Sequence, residues 1–163
     1  MHLCRRGVEK AAILNCYSND PPKRKASPVT YFEWTSAVEL GHSEIDAQHK
    51  QLLLLGKAVV VDTMMNLAEH KPPDPTQLQA LIDYTQEHFL FEEGLMRSTG
   101  YPRVDEHAES HATLLVELRA FCFRVQRELY TDPVGLIRLL WKWFSSHIDL
   151  EDRELVVWLK THE

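Results

Sequence analysis

The chain has 163 residues, of which 44% are hydrophobic, and a formal net charge of −6 at pH 7. Its length suits one domain with a sizeable core, and its acidic balance lacks the basic footprint of nucleic-acid-binding proteins. No apolar run approaches the roughly 20 residues that span a bilayer. We therefore expect neither a nucleic-acid partner nor stable membrane insertion.

Residues 1–30 differ in composition from the rest of the chain. They hold six basic residues against two acidic ones, and three prolines that interrupt any helical pattern. Glu9 and Lys10 also interrupt the apolar stretch that a secretory signal requires. We predict a mobile basic extension over 1–30 and a single domain over 31–163. A tail that binds a membrane or a partner, and a misplaced start codon, are the alternatives.

The three cysteines, Cys4, Cys16 and Cys122, show no C-x-x-C spacing of the kind that forms thiolate metal sites. An odd number of cysteines without a secretory signal favours reduced thiols and a cytoplasmic location. Cys122 stands between Phe121 and Phe123, and we predict that this tripeptide packs in the core.

The first two helices are predicted from their terminal residues. Ser43 is the expected N-cap of a helix from Glu44 toward Ala68, whose apolar run Leu52–Val61 we expect to be buried. A second helix is expected to begin with Asp74 as N-cap and to end near Gly100. That start is supported by Pro75 at the first helical position and by Gln77, three residues after Asp74, at the position of a capping box.

Two longer helices and a short one complete the predicted domain. The third helix is expected from near Pro102 to about Tyr130, the fourth from Asp132 to His147, and a short amphipathic helix over 154–160. Because no strand alternation competes and the connections are short, the helices should pack as antiparallel neighbours. The predicted fold is all-α: an up-down-up-down four-helix bundle with a short C-terminal helix and an N-terminal extension.

Seven residues with metal-binding side chains recur along these helices. They are His49, His88, Glu92, His107, His111, His147 and Asp152. Residues four apart lie about 40° apart around a helix, so the pair on the second helix and the pair on the third can each chelate an ion. The last two are five apart, or about 140°, so the fourth helix should end or kink near His147 if both bind metal. The remaining histidines, at positions 2, 42, 70 and 162, are expected to be structural or surface residues.

The donor types favour iron and a two-metal site. The set contains no thiolate, and mixed imidazole and carboxylate ligation suits iron better than structural zinc or an iron–sulfur cluster. Two ions with about six positions each offer about twelve, and five imidazoles, two bridging carboxylates and one oxo or hydroxo bridge fill all but one. A set rich in neutral imidazole favours Fe(II) and reversible oxygen binding. Bundles that activate oxygen use mainly Glu.

Four segments carry a resemblance to the bacterial hemerythrins. They are Gly41–His49, His88–Glu93, Tyr101–His111 and Trp143–Asp152, and the resemblance extends from Phe32 to the C-terminus. It implies that His107, His111 and His147 bind one iron, that His49 and His88 bind the other, and that Glu92 and Asp152 bridge the two. It also implies that dioxygen binds at the two-histidine iron.

Five apolar residues near the ligands are the expected walls of the oxygen pocket, with plain core packing as the alternative. They are Leu52, Phe89, Trp143, Phe144 and Ile148. The family commonly has Trp-Leu before the last histidine, whereas this chain has Trp143 and Phe144, which changes the expected pocket volume.

The resemblance implies reversible dioxygen binding for transport, storage or delivery to an oxygen-consuming enzyme, with no reaction catalysed. The alternatives are an oxygen, nitric oxide or redox sensor, and a di-iron enzyme that acts on peroxide or nitric oxide. A sensor is less expected because only eleven residues follow Asp152, which is too few for a fused output domain. A monomer is the default expectation.

Overall fold

The computed structural model describes residues 29, 32–69, 71–129 and 132–162. The predicted extension 1–30 lies outside the described residues except for Val29, as do Cys4, Cys16 and His70. The described elements are α1 (Ser43–Asn66), a 3₁₀ turn (Leu67–Glu69), α2 (Pro75–Thr99), α3 (Val104–Gln126), α4 (Pro133–Trp143), a π-helical segment (Phe144–Asp152) and α5 (Arg153–His162). No strand occurs within these ranges.

The predicted all-α four-helix bundle is confirmed. Its fourth helix is a single long stretch, because α4, the π-helical segment and α5 follow one another without a break. The short C-terminal helix is therefore an extension of the fourth helix rather than a separate element. The predicted third helix is shortened to Val104–Gln126, and its expected end at Tyr130 lies outside the described part of the chain.

The ends of α2 follow the prediction. The Asp74 carboxylate accepts the Thr76 N–H at 2.8 Å, Pro75 is the first helical residue, and Gly100 ends the helix with a φ of 67°. The predicted capping box between Asp74 and Gln77 was wrong, however. The Asp74 N–H donates to Asp62 on α1 at 2.6 Å, and the buried Gln77 Oε1 has no hydrogen-bond partner among the residues described.

The start of α1 differs from the prediction. Ser43 is already helical, and the cap is His42, whose Nδ1 accepts the Ile45 N–H at 3.3 Å. The buried Asp46 carboxylate then accepts the N–H groups of Leu40 and Gly41, both at 2.8 Å. Asp46 thus fixes the turn that leads into α1, and an imidazole caps the helix in place of the expected hydroxyl.

Two apolar clusters form the core, and the polar candidate site lies where they meet. On α1, Ile45 belongs to one cluster and Leu52 to the other, with His49 between them. On α2, Met96 belongs to the same cluster as Ile45 and Phe89 to the same cluster as Leu52, with Glu92 between them. The bundle therefore has apolar packing at both ends and a layer of buried polar side chains in the middle.

Two predictions of burial were partly wrong. Within Leu52–Val61, Leu54 is 60% exposed, and within the Phe121–Phe123 tripeptide Cys122 is buried but Phe123 is 55% exposed. Each helix of a four-helix bundle turns only one face to the core, so runs of consecutive apolar residues place some side chains in solvent. None of the helices in the described ranges is long and apolar enough to cross a bilayer.

Candidate metal centre

All seven predicted ligand side chains converge in two overlapping groups. One group holds Glu92, His107, His111, His147 and Asp152, and the other holds His49, His88, Glu92 and Asp152. Within each group the candidate ligand atoms lie within 4.8 Å of one another. The seven residues are between 0% and 4% exposed. Both carboxylates belong to both groups, which is the arrangement needed to bridge two cations.

The helices bring these side chains onto inward faces through two different residue spacings. The pairs on α2 and α3 lie four residues apart in regular α-helix, as expected. His147 and Asp152 lie in the π-helical segment, where i→i+5 hydrogen bonds bring residues five apart onto a similar face. The α-helix does end before His147, at Trp143, but the π geometry that replaces it was not anticipated.

Most of the inward-facing atoms lie close to one another without hydrogen bonds, whereas His111 Nε2 and His147 Nε2 contact each other at 3.1 Å. His49 Nε2 lies 3.1 Å from Asp152 Oδ2, His107 Nε2 lies 3.2 Å from Asp152 Oδ1, and His88 Nε2 lies 3.5 Å from Glu92 Oε2. None of these atoms has a hydrogen-bond partner within the described residues. Buried polar atoms without partners are costly, and a cation at the centre would satisfy them. The donor set and its geometry therefore fit a metal ion.

The outward-facing nitrogen of His147 is held by a carboxylate that the sequence analysis missed. His147 Nδ1–H donates to Glu151 Oε2 at 2.6 Å, and Ser110 on α3 donates to Glu151 Oε1 at 3.1 Å. Burial raises the pKa of Glu151, but the hydrogen bond and charge of His147 and the hydrogen bond from Ser110 together outweigh burial, and the net pKa is lowered. An ionised carboxylate only accepts, so the proton stays on Nδ1 and the Nε2 lone pair faces the centre.

Two more imidazoles have outer partners, which were also not predicted. His88 Nδ1 lies 3.0 Å from the side-chain oxygen of Gln48, and His111 Nδ1 lies 3.4 Å from Glu93 Oε1. Histidine ligands generally donate their second N–H in this way, which orients the ring and fixes its tautomer. Gln48, Glu93 and Glu151 each directly neighbour a predicted ligand in the sequence, so adjacency was the available signal.

Burial and neighbouring charges shift the pKa values of the clustered side chains. Burial, followed by the nearby Asp152, raises the pKa of Glu92 well above its usual range. Burial raises the pKa of Asp152 too, but His147, His107 and His49 together outweigh burial and hold that pKa well below its usual range. Burial, followed by His49, lowers the pKa of His88. Burial lowers the pKa of His147, but Asp152 and Glu151 together outweigh burial and raise that pKa. Cations bind to neutral imidazoles and ionised carboxylates, so a bound cation would displace the protons that the raised pKa values of Glu92 and His147 favour.

Two of the five predicted pocket residues form an aromatic wall beside the histidines. The Phe89 ring stacks on His111 with centroids 3.7 Å apart, and its edge meets His147 at 5.2 Å. Trp143 meets Phe89 in an edge-to-face contact at 6.1 Å. These contacts cover one side of the cluster with apolar surface.

The other three predicted pocket residues are buried in the larger apolar cluster. Leu52 is fully buried there, and Phe144 stacks on Trp143 at 4.5 Å and packs against Phe32 at 5.0 Å. Phe144 and Ile148 also line a cavity of about 180 Å³. Phe144 is accommodated because Gly56 faces it on α1, where a Cβ would lie 2.8 Å from Phe144 Cε2.

A four-helix bundle that buries a histidine and carboxylate cluster between two apolar clusters defines a class of cation-binding helical domains. Residues 40–159 match the family model described as the Hemerythrin HHE cation binding domain. The chain therefore belongs to the hemerythrin family, and the resemblance predicted from its motifs is confirmed.

Relatives with curated names agree with this assignment. The chain is 28% identical over 131 residues to a bacteriohemerythrin of Ralstonia nicotianae, a match that covers 78% of this chain and 88% of that protein. It is 29% identical over 131 residues to a bacteriohemerythrin of Stenotrophomonas maltophilia, covering 79% and 82%. A hemerythrin-like protein of Naegleria gruberi is 26% identical over 123 residues, covering 74% and 87%. No solved structure matches the chain significantly.

Proposed function

We propose that the protein binds dioxygen reversibly at two iron ions held by the seven converging side chains. His107, His111 and His147 would hold one ion, and His49 and His88 the other. Glu92 and Asp152 would bridge them. The iron pair, when bound, supplies the reversible binding of dioxygen. The observation that carries the proposal is the sharing of both buried carboxylates by two groups of histidines.

The donor types support iron and reversible binding. Five imidazoles stand against two carboxylates, and neither group contains a thiolate. Neutral imidazole is a good ligand for iron, whereas thiolates favour zinc or iron–sulfur clusters. The small number of anionic oxygens stabilises the lower oxidation state, which a reversible carrier must regain each time that oxygen leaves.

The surrounding residues support binding rather than turnover. The seven side chains are almost fully buried, and Phe89 and Trp143 place apolar surface against them, so bulk water is excluded. The two further carboxylates beside the cluster are already engaged: Glu151 by His147 and Ser110, and Glu93 by His111 and Arg97. A general acid or base must be free to exchange a proton with a substrate. We therefore propose that no reaction is catalysed.

The proposal is tested by an optical titration of the reduced, iron-loaded protein with oxygen, after iron has been counted per chain. We expect two irons and an absorption band that appears with oxygen and disappears when oxygen is removed. Prompt conversion to a stable ferric form, without a reversible band, would favour a redox or nitric oxide sensor. Catalytic consumption of peroxide or nitric oxide would favour an enzyme.

Delivery of oxygen to a consuming enzyme, a cytoplasmic location and a monomeric state are further parts of the proposal. Names of the relatives, such as bacteriohemerythrin, describe those proteins and support the oxygen-binding role in this chain. Sedimentation of the iron-loaded full-length chain tests the monomer directly, and a mass twice that of the chain would overturn it.

A further inference from the structure

The outer partners of the histidines differ in charge between the two groups. In the three-histidine group, the outer partners of His147 and His111 are the carboxylates of Glu151 and Glu93. In the two-histidine group, the outer partner of His88 is a neutral amide, that of Gln48. The two metal positions are thus surrounded by different charges, in addition to having different numbers of imidazoles.

Glu151 has the best geometry of the three outer partners. Its contact with His147 Nδ1 is 2.6 Å long, and the hydroxyl of Ser110 on α3 fixes its other oxygen. Glu93 makes a longer contact of 3.4 Å with His111. Its other oxygen accepts a hydrogen bond from Arg97 at 2.7 Å, and this cationic partner weakens the polarising effect of Glu93 on the imidazole. We therefore expect Glu151 to act more strongly than Glu93.

A carboxylate and an amide affect an imidazole differently. When an anion accepts the Nδ1 proton, electron density moves into the ring and Nε2 becomes a stronger donor to a metal. Hydrogen bonds to charged acceptors are roughly twice as strong as those to neutral ones, so the amide of Gln48 polarises His88 less. Affinity for a cation should therefore be higher in the group that contains His147.

We propose that the two metal positions are graded by these outer partners, and that Glu151 is the positioning residue that makes the three-histidine position the tighter one. This inference rests on the proposed function only in that both groups hold a metal ion. Oxygen binding is not required for it. A chain that binds two ions unequally but shows no reversible oxygen band would overturn the proposed function and leave the grading intact.

Calorimetric titration of the metal-free full-length chain with Co(II) measures the two binding steps. His107→Ala should remove the tighter step and His49→Ala the weaker one, which assigns each step to its group. Glu151→Gln should weaken the tighter step about 10- to 100-fold, the usual effect of losing such a partner, and leave the weaker step within about threefold. Glu93→Gln should act in the same direction but less.

The reverse substitution adds the charge instead of removing it. Gln48→Glu should strengthen the weaker step and leave the tighter one unchanged. Such a gain cannot arise from misfolding, so this variant keeps the test valid if Glu151→Gln folds poorly. Gln51→Glu is the matched control, because it adds the same charge to the same helix at a side chain that has no hydrogen bond to a histidine in the described part of the chain. It should leave both steps unchanged.

A spectroscopic readout separates polarisation of the ring from a general structural effect. In the Co(II)-loaded protein, the Nδ1 proton of His147 should give a hyperfine-shifted resonance that moves in Glu151→Gln, while the corresponding resonance of His88 stays in place. Equal weakening of both steps by Glu151→Gln, or an unchanged weaker step in Gln48→Glu, would overturn the grading.

Discussion

Replacement of Gly56 by alanine tests whether the bulky Phe144 depends on the glycine that faces it. A Cβ at position 56 would lie 2.8 Å from Cε2 and 3.0 Å from Cζ of Phe144, and 3.3 Å from Cδ1 of Phe32. The Phe144 ring cannot easily withdraw, because it is stacked on Trp143 and meets Phe32 edge to face. The added methyl group must therefore displace a packed aromatic ring.

The expected magnitude is a balance of two opposing effects. Alanine is favoured over glycine in a helix interior by about 1 kcal/mol. Overpacking of a well-packed core costs about 1–3 kcal/mol. Gly94 supplies the matched control, since it is exposed within α2 and a Cβ added there would meet no described atom within 4 Å. Gly94→Ala should therefore gain about 1 kcal/mol, and Gly56→Ala should be less stable than Gly94→Ala by about 1–3 kcal/mol.

Urea unfolding in the presence of a chelator measures both variants without the contribution of bound metal. For a domain of this size, 1 kcal/mol corresponds to a shift in Tm of about 2–4 °C, so thermal unfolding provides a second measurement. If Gly56→Ala gained as much stability as Gly94→Ala, the claim that Gly56 makes room for Phe144 would be refuted.

Four further predictions concern the metal ligands, the turn before α1 and the response to metal and pH. His147→Ala should lose iron and stability, whereas His162→Ala, at the end of α5, should retain iron, as elemental analysis of purified protein would show. Asp46→Ala should cost about 3 kcal/mol in urea unfolding, because two backbone N–H groups lose a charged acceptor. Co(II) at about 100 times its Kd should raise the free energy of unfolding by about 2.7 kcal/mol, and a chelator should reverse this. Burial, then His49, holds the pKa of His88 below its ordinary 6.5, so the unfolded chain binds the extra proton first and the His88 contribution to metal-free stability should fall as pH drops below about 6.5, while the raised pKa values of Glu92 and His147 act in the opposite direction. The pH profile of His88→Gln should lack the His88 contribution.

The parts of the structure that depend on local signals were predicted well. The ends of α2 follow from Asp74, Pro75 and Gly100, each of which acts through its own backbone or side-chain chemistry. The convergence of the seven polar residues followed from their spacing, because four-residue intervals on a helix determine a face whatever the neighbouring helices do. Burial was predicted less well, since consecutive apolar residues such as those around Leu54 cannot all face one core.

The features that were missed depend on contacts between distant residues. Ser43 was a reasonable cap by type, but the first turn is already helical there and the imidazole of His42 is in position to accept. The contacts of Gln48 with His88, and of Ser110 with Glu151, join residues 40 and 41 positions apart. No periodicity within one helix predicts such pairs.

The π-helical segment explains how one stretch of chain contributes three residues, His147, Glu151 and Asp152, to the cluster and its immediate surroundings. In a regular α-helix, His147 and Glu151 would share a face and Asp152 would lie about 140° from His147. The i→i+5 pattern over Phe144–Asp152 instead turns Asp152 toward the same centre, while Glu151 remains close enough to accept the Nδ1 proton of His147. The segment thus presents a histidine, its hydrogen-bond acceptor and a shared carboxylate within six residues. The five-residue spacing that argued against one continuous helix is therefore compatible with one, provided that the helix changes its hydrogen-bond pattern at the site.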